Sequence, residues 1–146
     1  MGNKAFWEGR YAAGTTGWDI GYAAPALTAY TAQLGRKDLR ILLPGAGHGY
    51  EAEYLHQAGF TDVTVLDIAQ APLLEIGRRV PGFPKERLVC QDFFDYRGGP
   101  FDLILEHTFF CALPPEERDR YVRHMHGLLA TGGRLAGLLF QFPQSF

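Results

Sequence analysis

The sequence contains no basic run. Its 14 lysines and arginines and 16 acids are mixed along 146 residues, for a formal charge of −2. That removes the electrostatic footprint of a nucleic-acid binder. Cysteine is scarce: Cys90 and Cys111 both sit in apolar sequence surroundings. They favour two buried thiols in a reducing compartment over a disulfide framework. No apolar stretch is long enough to span a bilayer, and Met1 to Glu8 carry no apolar leader core, so a cytoplasmic location is the expectation. A Gly-Lys-Ser/Thr phosphate loop is missing, as is the G-x-S-x-G elbow of a hydrolase. His48 and His56 have no cysteine or acid at metal spacing, and His124 and His126, two apart on a helix, face different ways. No metal site is expected. Repeats and low-complexity segments are absent too.

What is present is globular: 47% hydrophobic and 14% aromatic residues, at a length where one domain, residues 1–146, can bury a core. The stretch Leu39-Arg40-Ile41-Leu42-Leu43-Pro44-Gly45-Ala46-Gly47-His48-Gly49-Tyr50 organises the chain. An apolar strand enters a turn with glycine at alternate positions, and a helix-compatible segment follows. Missing side chains let backbone approach a ligand closely. A dinucleotide fold places a third glycine where Tyr50 stands. The G-x-G-x-G spacing therefore suits a nucleoside without its pyrophosphate, although a plain strand-to-helix turn can be equally rich in glycine.

Around this unit, strands and helices alternate. Residues 4–13 suggest a short helix ended by Gly14, and Pro25 begins another, running to Leu34 with Gly35 beyond it. Strands are expected at 39–43, 62–67, 87–90, 101–106 and 134–141. Helices fall between them: Tyr50 to Ala58, then one from Pro72 with a buried stripe of Leu73, Ile76, Gly77 and Val80. The last opens at Pro114-Pro115-Glu116-Glu117, buries Tyr121, Val122, Met125, Leu128 and Leu129, and ends at Thr131-Gly132-Gly133. Such alternation predicts a doubly wound α/β fold with a mostly parallel sheet and helices on both faces. Ligands bind at the carboxyl ends of strands in these sheets. Gly45 to Gly49, Asp67, Asp92-Phe93 and Glu106-His107 should then gather along one edge.

Each of these residues has a functional and an ordinary reading. Asp67 ends the second strand, about twenty residues after the glycine loop, where an acid accepts ribose hydroxyls; an acid there can also simply close a turn or cap a helix. Asp92 offers a carboxylate to an exocyclic amine and Phe93 a face to an adenine, or the pair is a turn acid beside a core phenylalanine. Trp7 and Trp18 are either a flap over the ligand or aromatics packed on the core. Cys111, after Phe109-Phe110, fits a core position better than a nucleophile.

This pattern resembles a class I S-adenosylmethionine-dependent methyltransferase, and more narrowly the thiopurine S-methyltransferase family on its thiol and halide methyltransferase branch. The likeness runs from Trp7 to Phe140 and is most specific in Phe101-Asp102-Leu103-Ile104-Leu105-Glu106-His107-Thr108-Phe109-Phe110-Cys111-Ala112-Leu113-Pro114-Pro115. It implies a Rossmann-like sheet of order 3-2-1-4-5 and S-adenosylmethionine as cofactor, with S-adenosylhomocysteine as product. It also implies methyl transfer to a small acceptor, a thiol or halide. Cofactor contacts carried over by position fall on Trp7, Tyr11, Trp18, Gly45, Gly47, Asp67, Asp92, Phe93 and His107. Tyr11 stands where relatives often carry Trp, and His107 where they often carry Tyr or Arg. A thiolate or halide needs no dedicated base; Glu106 and His107 are the candidates to take a proton from a neutral thiol.

The family's sheet continues past strand five, whereas this sequence ends at Phe146. Strands 6 and 7 are therefore expected to be missing, leaving an apolar open edge at Leu135-Ala136-Gly137-Leu138-Leu139-Phe140 that predicts either self-association or a truncated chain of marginal stability. From this follows an alternative function, a cofactor-binding module without turnover that assembles through that edge. An NAD-linked dehydrogenase is disfavoured by Tyr50.

Overall fold

The computed structural model describes residues 25–45, 49–107 and 114–138. Among these, strand β1, Ile41–Pro44, is buried at every position. It lies between β2, Val63–Asp67, and β4, Phe101–His107, parallel to both. Strand β3, Leu88–Cys90, flanks β2, and β5, Leu129–Leu138, flanks β4. The order is thus 3-2-1-4-5, the doubly wound arrangement expected. Apolar runs such as Ile41-Leu42-Leu43 suit strands covered on both faces, where no side needs to be polar.

Alternate side chains along each strand serve opposite faces. On one face Ile41, Leu43, Val65, Leu103 and Leu105 meet Leu27 of α1 (Pro25–Ala32), Leu55 of α2 (Tyr50–Gln57) and Ile76 of α3 (Gln70–Arg79). On the other, Leu42, Leu66 and Ile104 meet Tyr121, Met125 and Leu128 of α4 (Arg118–Leu128), with Phe93, Phe94 and Phe101 filling the same layer. Each fully buried Leu or Ile contributes roughly 1.5–3 kcal/mol. At the amino ends of the two central strands, Arg40 grips Asp102 through Nη2 to Oδ1 at 2.9 Å and Nε to Oδ2 at 3.1 Å. This pair ties β1 to β4 at the end opposite the glycine loop.

The elements depart from expectation in informative places. Helix α4 stops at Leu128, and Leu129 turns extended (φ −84°, ψ 138°) to pair with Phe101. Val122, expected to be buried, is 59% exposed, because it is turned about 100° round the helix from the buried face of Tyr121, Met125 and Leu128. The Thr131-Gly132-Gly133 turn lies inside β5, where two steps on β4 (Phe101 to Leu103) match five on β5 (Leu129 to Arg134). A Cβ at Gly133 would sit 2.8 Å from the Phe101 carbonyl, so only glycine fits this detour. Gly77 is exposed rather than part of the buried stripe of α3. Helix α1 ends at Ala32, after which Gln33 and Leu34 tighten to three-residue bonds on Tyr30 and Thr31. Cys90, expected to be buried, is an exposed free thiol, on a strand that is the sheet's edge among the described residues. Cys111 and the helix expected at 4–13 lie outside the described residues.

Candidate functional site

The parallel registers bring the strand tips together. Gly45 follows β1 with a left-handed φ of 59° and donates its N–H to the Leu66 carbonyl at 2.7 Å. Asp67 is the last residue of β2, level with Cys90 on β3, and its carbonyl accepts from Gln91 N–H at 3.0 Å. One residue further stands Asp92. On the other side, β4 runs beside β1 and ends at Glu106-His107. Gly45, Asp67, Asp92 and Glu106 thus share the carboxyl edge of the sheet, at the point where strand order reverses from β2 to β4 around β1.

Local bonds fix each acid. Asp67 is 6% exposed. Its Oδ1 accepts from Ala69 N–H at 2.9 Å, setting the carboxyl plane and placing negative charge at the positive start of α3. Asp92 opens the short turn Phe93–Asp95, and its Oδ1 accepts from Phe94 N–H at 2.9 Å. Glu106 is 2% exposed at the tip of β4, opposite Gly137 of β5. A Cβ at residue 137 would fall 2.6 Å from the Glu106 Oε2, so glycine there makes the room this carboxyl occupies.

The aromatic face expected of Phe93 is turned into the core. Its ring stacks on Tyr121 at 5.8 Å and meets Phe94 and His124 edge-on at 5.2 and 4.6 Å, leaving the residue 2% exposed. The short turn directs successive side chains under α4, and burial of two large rings outweighs display of one. Trp7, Tyr11, Trp18 and Gly47 lie outside the described residues, as does the His107 side chain.

Three contacts at this edge escaped the sequence reading. Gly49, read as a ligand-approach glycine, has φ 79°, and a Cβ there would stand 2.2 Å from Ile76 Cγ1. It lets the start of α2 press against α3. The Arg79 guanidinium lies 4.9 Å over the Tyr50 ring and pairs with Glu53 at 3.2 Å and Glu75 at 3.0 Å. The Glu75–Arg79 spacing of four signalled part of that cluster; its reach back to α2 had no local signal. His124, discounted as a metal ligand, packs on the Asp92–Phe93 turn. Among the described residues no three His, Cys, Asp or Glu side chains group to hold a metal ion, and no helix is long and apolar enough to cross a membrane.

Comparison with known proteins adds to this geometry. The family model described as Thiopurine S-methyltransferase matches residues 2–143. A probable thiol methyltransferase 2 of Arabidopsis thaliana is 31% identical over 142 residues, covering 94% of this chain and 62% of that protein. The thiopurine S-methyltransferase of Photobacterium profundum is 27% identical over 153 residues, covering 95% of this chain and 72% of that one. A solved structure, the Burkholderia thailandensis 1,6-didemethyltoxoflavin-N1-methyltransferase with bound 1,6-didemethyltoxoflavin and S-adenosylhomocysteine, is similar with a TM-score of 0.78. It is 25% identical, with 97% of this chain and 62% of that one covered. The chain spans about three fifths of the length of the plant relatives it matches.

Proposed function

This chain belongs to the thiopurine S-methyltransferase family, and on that footing we propose that it binds S-adenosylmethionine and methylates a small acceptor, a thiol or a halide. The observation that carries the proposal is the convergence of Gly45, Asp67 and Asp92 on one sheet edge beside the tip of β4. Three features support an adenosyl ligand: two carboxylates able to accept from hydroxyl and amine hydrogens, glycine backbone that allows close approach, and a sequence without a Gly-Lys-Ser/Thr phosphate loop.

In this reading Asp67 accepts the ribose hydroxyls and Asp92 the exocyclic amine. With its ring in the core, Phe93 serves the adenine through its main chain. Gly45 and Gly47 lie against the cofactor, Trp7, Tyr11 and Trp18 close over it, and His107 adds a further contact, as the family resemblance implies. The cofactor, when bound, supplies a methyl group activated by a sulfonium. For an in-line displacement the residues' tasks are alignment and exclusion of water. Indole faces from Trp7 and Trp18 favour a neighbouring cation by roughly 0.5–2 kcal/mol each. Glu106 and His107 are the candidates to accept a proton from a neutral thiol.

Two further proposals concern setting and assembly. The exposed thiol of Cys90 suits a reducing, cytoplasmic compartment. Strand β5 is the outer strand among the described residues, and Leu135 on it is 44% exposed; we take this edge to pair with a second copy of the chain.

Calorimetric titration with S-adenosylhomocysteine, followed by methyl-transfer assays on small thiols and iodide, tests the function. Binding with turnover is expected. Binding without turnover on either acceptor class would instead mark a cofactor-holding module, and no binding would remove the adenosyl reading.

A further inference from the structure

His124 projects from α4 onto the turn that carries Asp92 and Phe93. Its ring lies 4.6 Å from that of Phe93 at 84° and 6.0 Å from that of Phe94 at 50°. Its Nε2 is buried, and no group meets it with hydrogen-bond geometry. Two arginines hold the same turn. Arg97 Nη1 donates to the Phe94 carbonyl at 2.7 Å and the Tyr96 carbonyl at 3.1 Å, while the Arg120 guanidinium lies 4.3 Å over the Phe94 ring.

We propose that neutral His124 is a positioning residue for the Asp92–Phe93 turn, and that protonating it loosens the chain's hold on the adenine end of the cofactor. The inference rests on the adenosyl reading above.

The ionisable residues of the turn are Asp92, Asp95, Tyr96 and Arg97, and those just before the ring on its own helix are Arg120, Tyr121 and Arg123. The charges acting on it are those of Arg97 and Arg120, and both oppose a proton. Asp92 is already bonded to Phe94 N–H. An imidazolium edge against an aromatic face is attractive in itself, and the backbone of Phe93 and of Tyr96 also favours the charged ring. Burial outweighs these and holds the pKa below its ordinary 6.5. A proton forced onto His124 therefore adds a third cation, in a buried place, beside the two arginines that pin Phe94. The strain falls on the Phe94 amide that orients Asp92. Because the depressed pKa belongs to the packed arrangement of ring and turn, that arrangement is fully favoured above 6.5 and loses ground as pH falls below it.

The test is calorimetric titration of the full chain with S-adenosylhomocysteine from about pH 7.5 to about 5.5. Affinity is expected to fall below pH 6.5, by up to about tenfold for each unit by which binding lowers the imidazole pKa. H124N and H124F, with no proton to gain, should each show a flatter profile, whatever their absolute affinity. A wild-type affinity constant across the range, or an equal fall in the variants, overturns the inference. Should neither variant fold, the His124 ring-proton titration followed by NMR in the wild type must move to lower pH on saturation, and an unmoved midpoint overturns it as well. Absence of binding at the upper pH defeats the adenosyl reading and this inference together.

Discussion

Replacing Gly49 by alanine probes whether the loop glycine serves a ligand or the fold. The new Cβ would stand 2.2 Å from Ile76 Cγ1 and 2.4 Å from Ile76 Cδ1, and Ile76 is 0% exposed, so it cannot swing away into solvent. The backbone at φ 79° adds a second penalty. A left-handed conformation costs an L-residue about 1–2 kcal/mol, and overpacking a core typically costs about 1–3 kcal/mol. Together they predict a loss of about 2–5 kcal/mol, a large share of the ~5–15 kcal/mol that holds an ordinary domain together. Urea unfolding followed by circular dichroism measures it. The double variant G49A/I76A supplies the control: I76A alone should cost about 2–5 kcal/mol, but the alanine methyl at 49 then enters the vacated space. The double variant should therefore be more stable than the sum of the singles by at least ~1 kcal/mol. A G49A chain within ~0.5 kcal/mol of wild type, or strictly additive losses, would refute the packing argument. Lost S-adenosylhomocysteine affinity at unchanged stability would return Gly49 to a purely ligand-facing role.

D67A should weaken S-adenosylhomocysteine binding more than about tenfold, or ~1.4 kcal/mol, in a calorimetric titration; unchanged affinity would remove the ribose assignment. Hydrogen bonds from the Arg40 side chain and backbone hold the Asp102 carboxyl at a pKa of about 2, below its ordinary 3.8. The stabilisation this represents is present above pH 3.8 and lost as pH falls towards 2, so D102N should flatten the acid side of the stability–pH curve in that window. An identical acid slope in D102N and wild type would show that the pair contributes nothing. Sedimentation at increasing concentration should reveal self-association through β5, and a monomer that persists at high concentration counts against the edge-pairing proposal.

Much of the fold was legible because it is written in local spacing. The alternation of apolar strand runs with helical stripes such as Tyr121, Met125 and Leu128 follows from period alone. So does the prediction that Gly45, Asp67, Asp92 and Glu106 share one edge, since every parallel strand points its carboxyl end the same way. Where the structure departs from the local pattern, the competitor is a contact across the chain. Leu129 matches the stripe of α4, yet it is claimed by Phe101 on β4. Phe93 has the chemistry of an adenine platform, but Tyr121 and His124 enclose its ring.

The sequence by itself determined which residue types stand at the strand tips and in what order the elements form, because backbone geometry and hydrophobic period act over a few residues. Only the tertiary structure decided that Gly49 answers to Ile76, that Gly137 clears space for Glu106, and that His124 leans on the turn of Asp92. Those pairs lie tens of residues apart, and close packing assigns each side chain its neighbour from the three-dimensional gap it must fill, a quantity no local window contains.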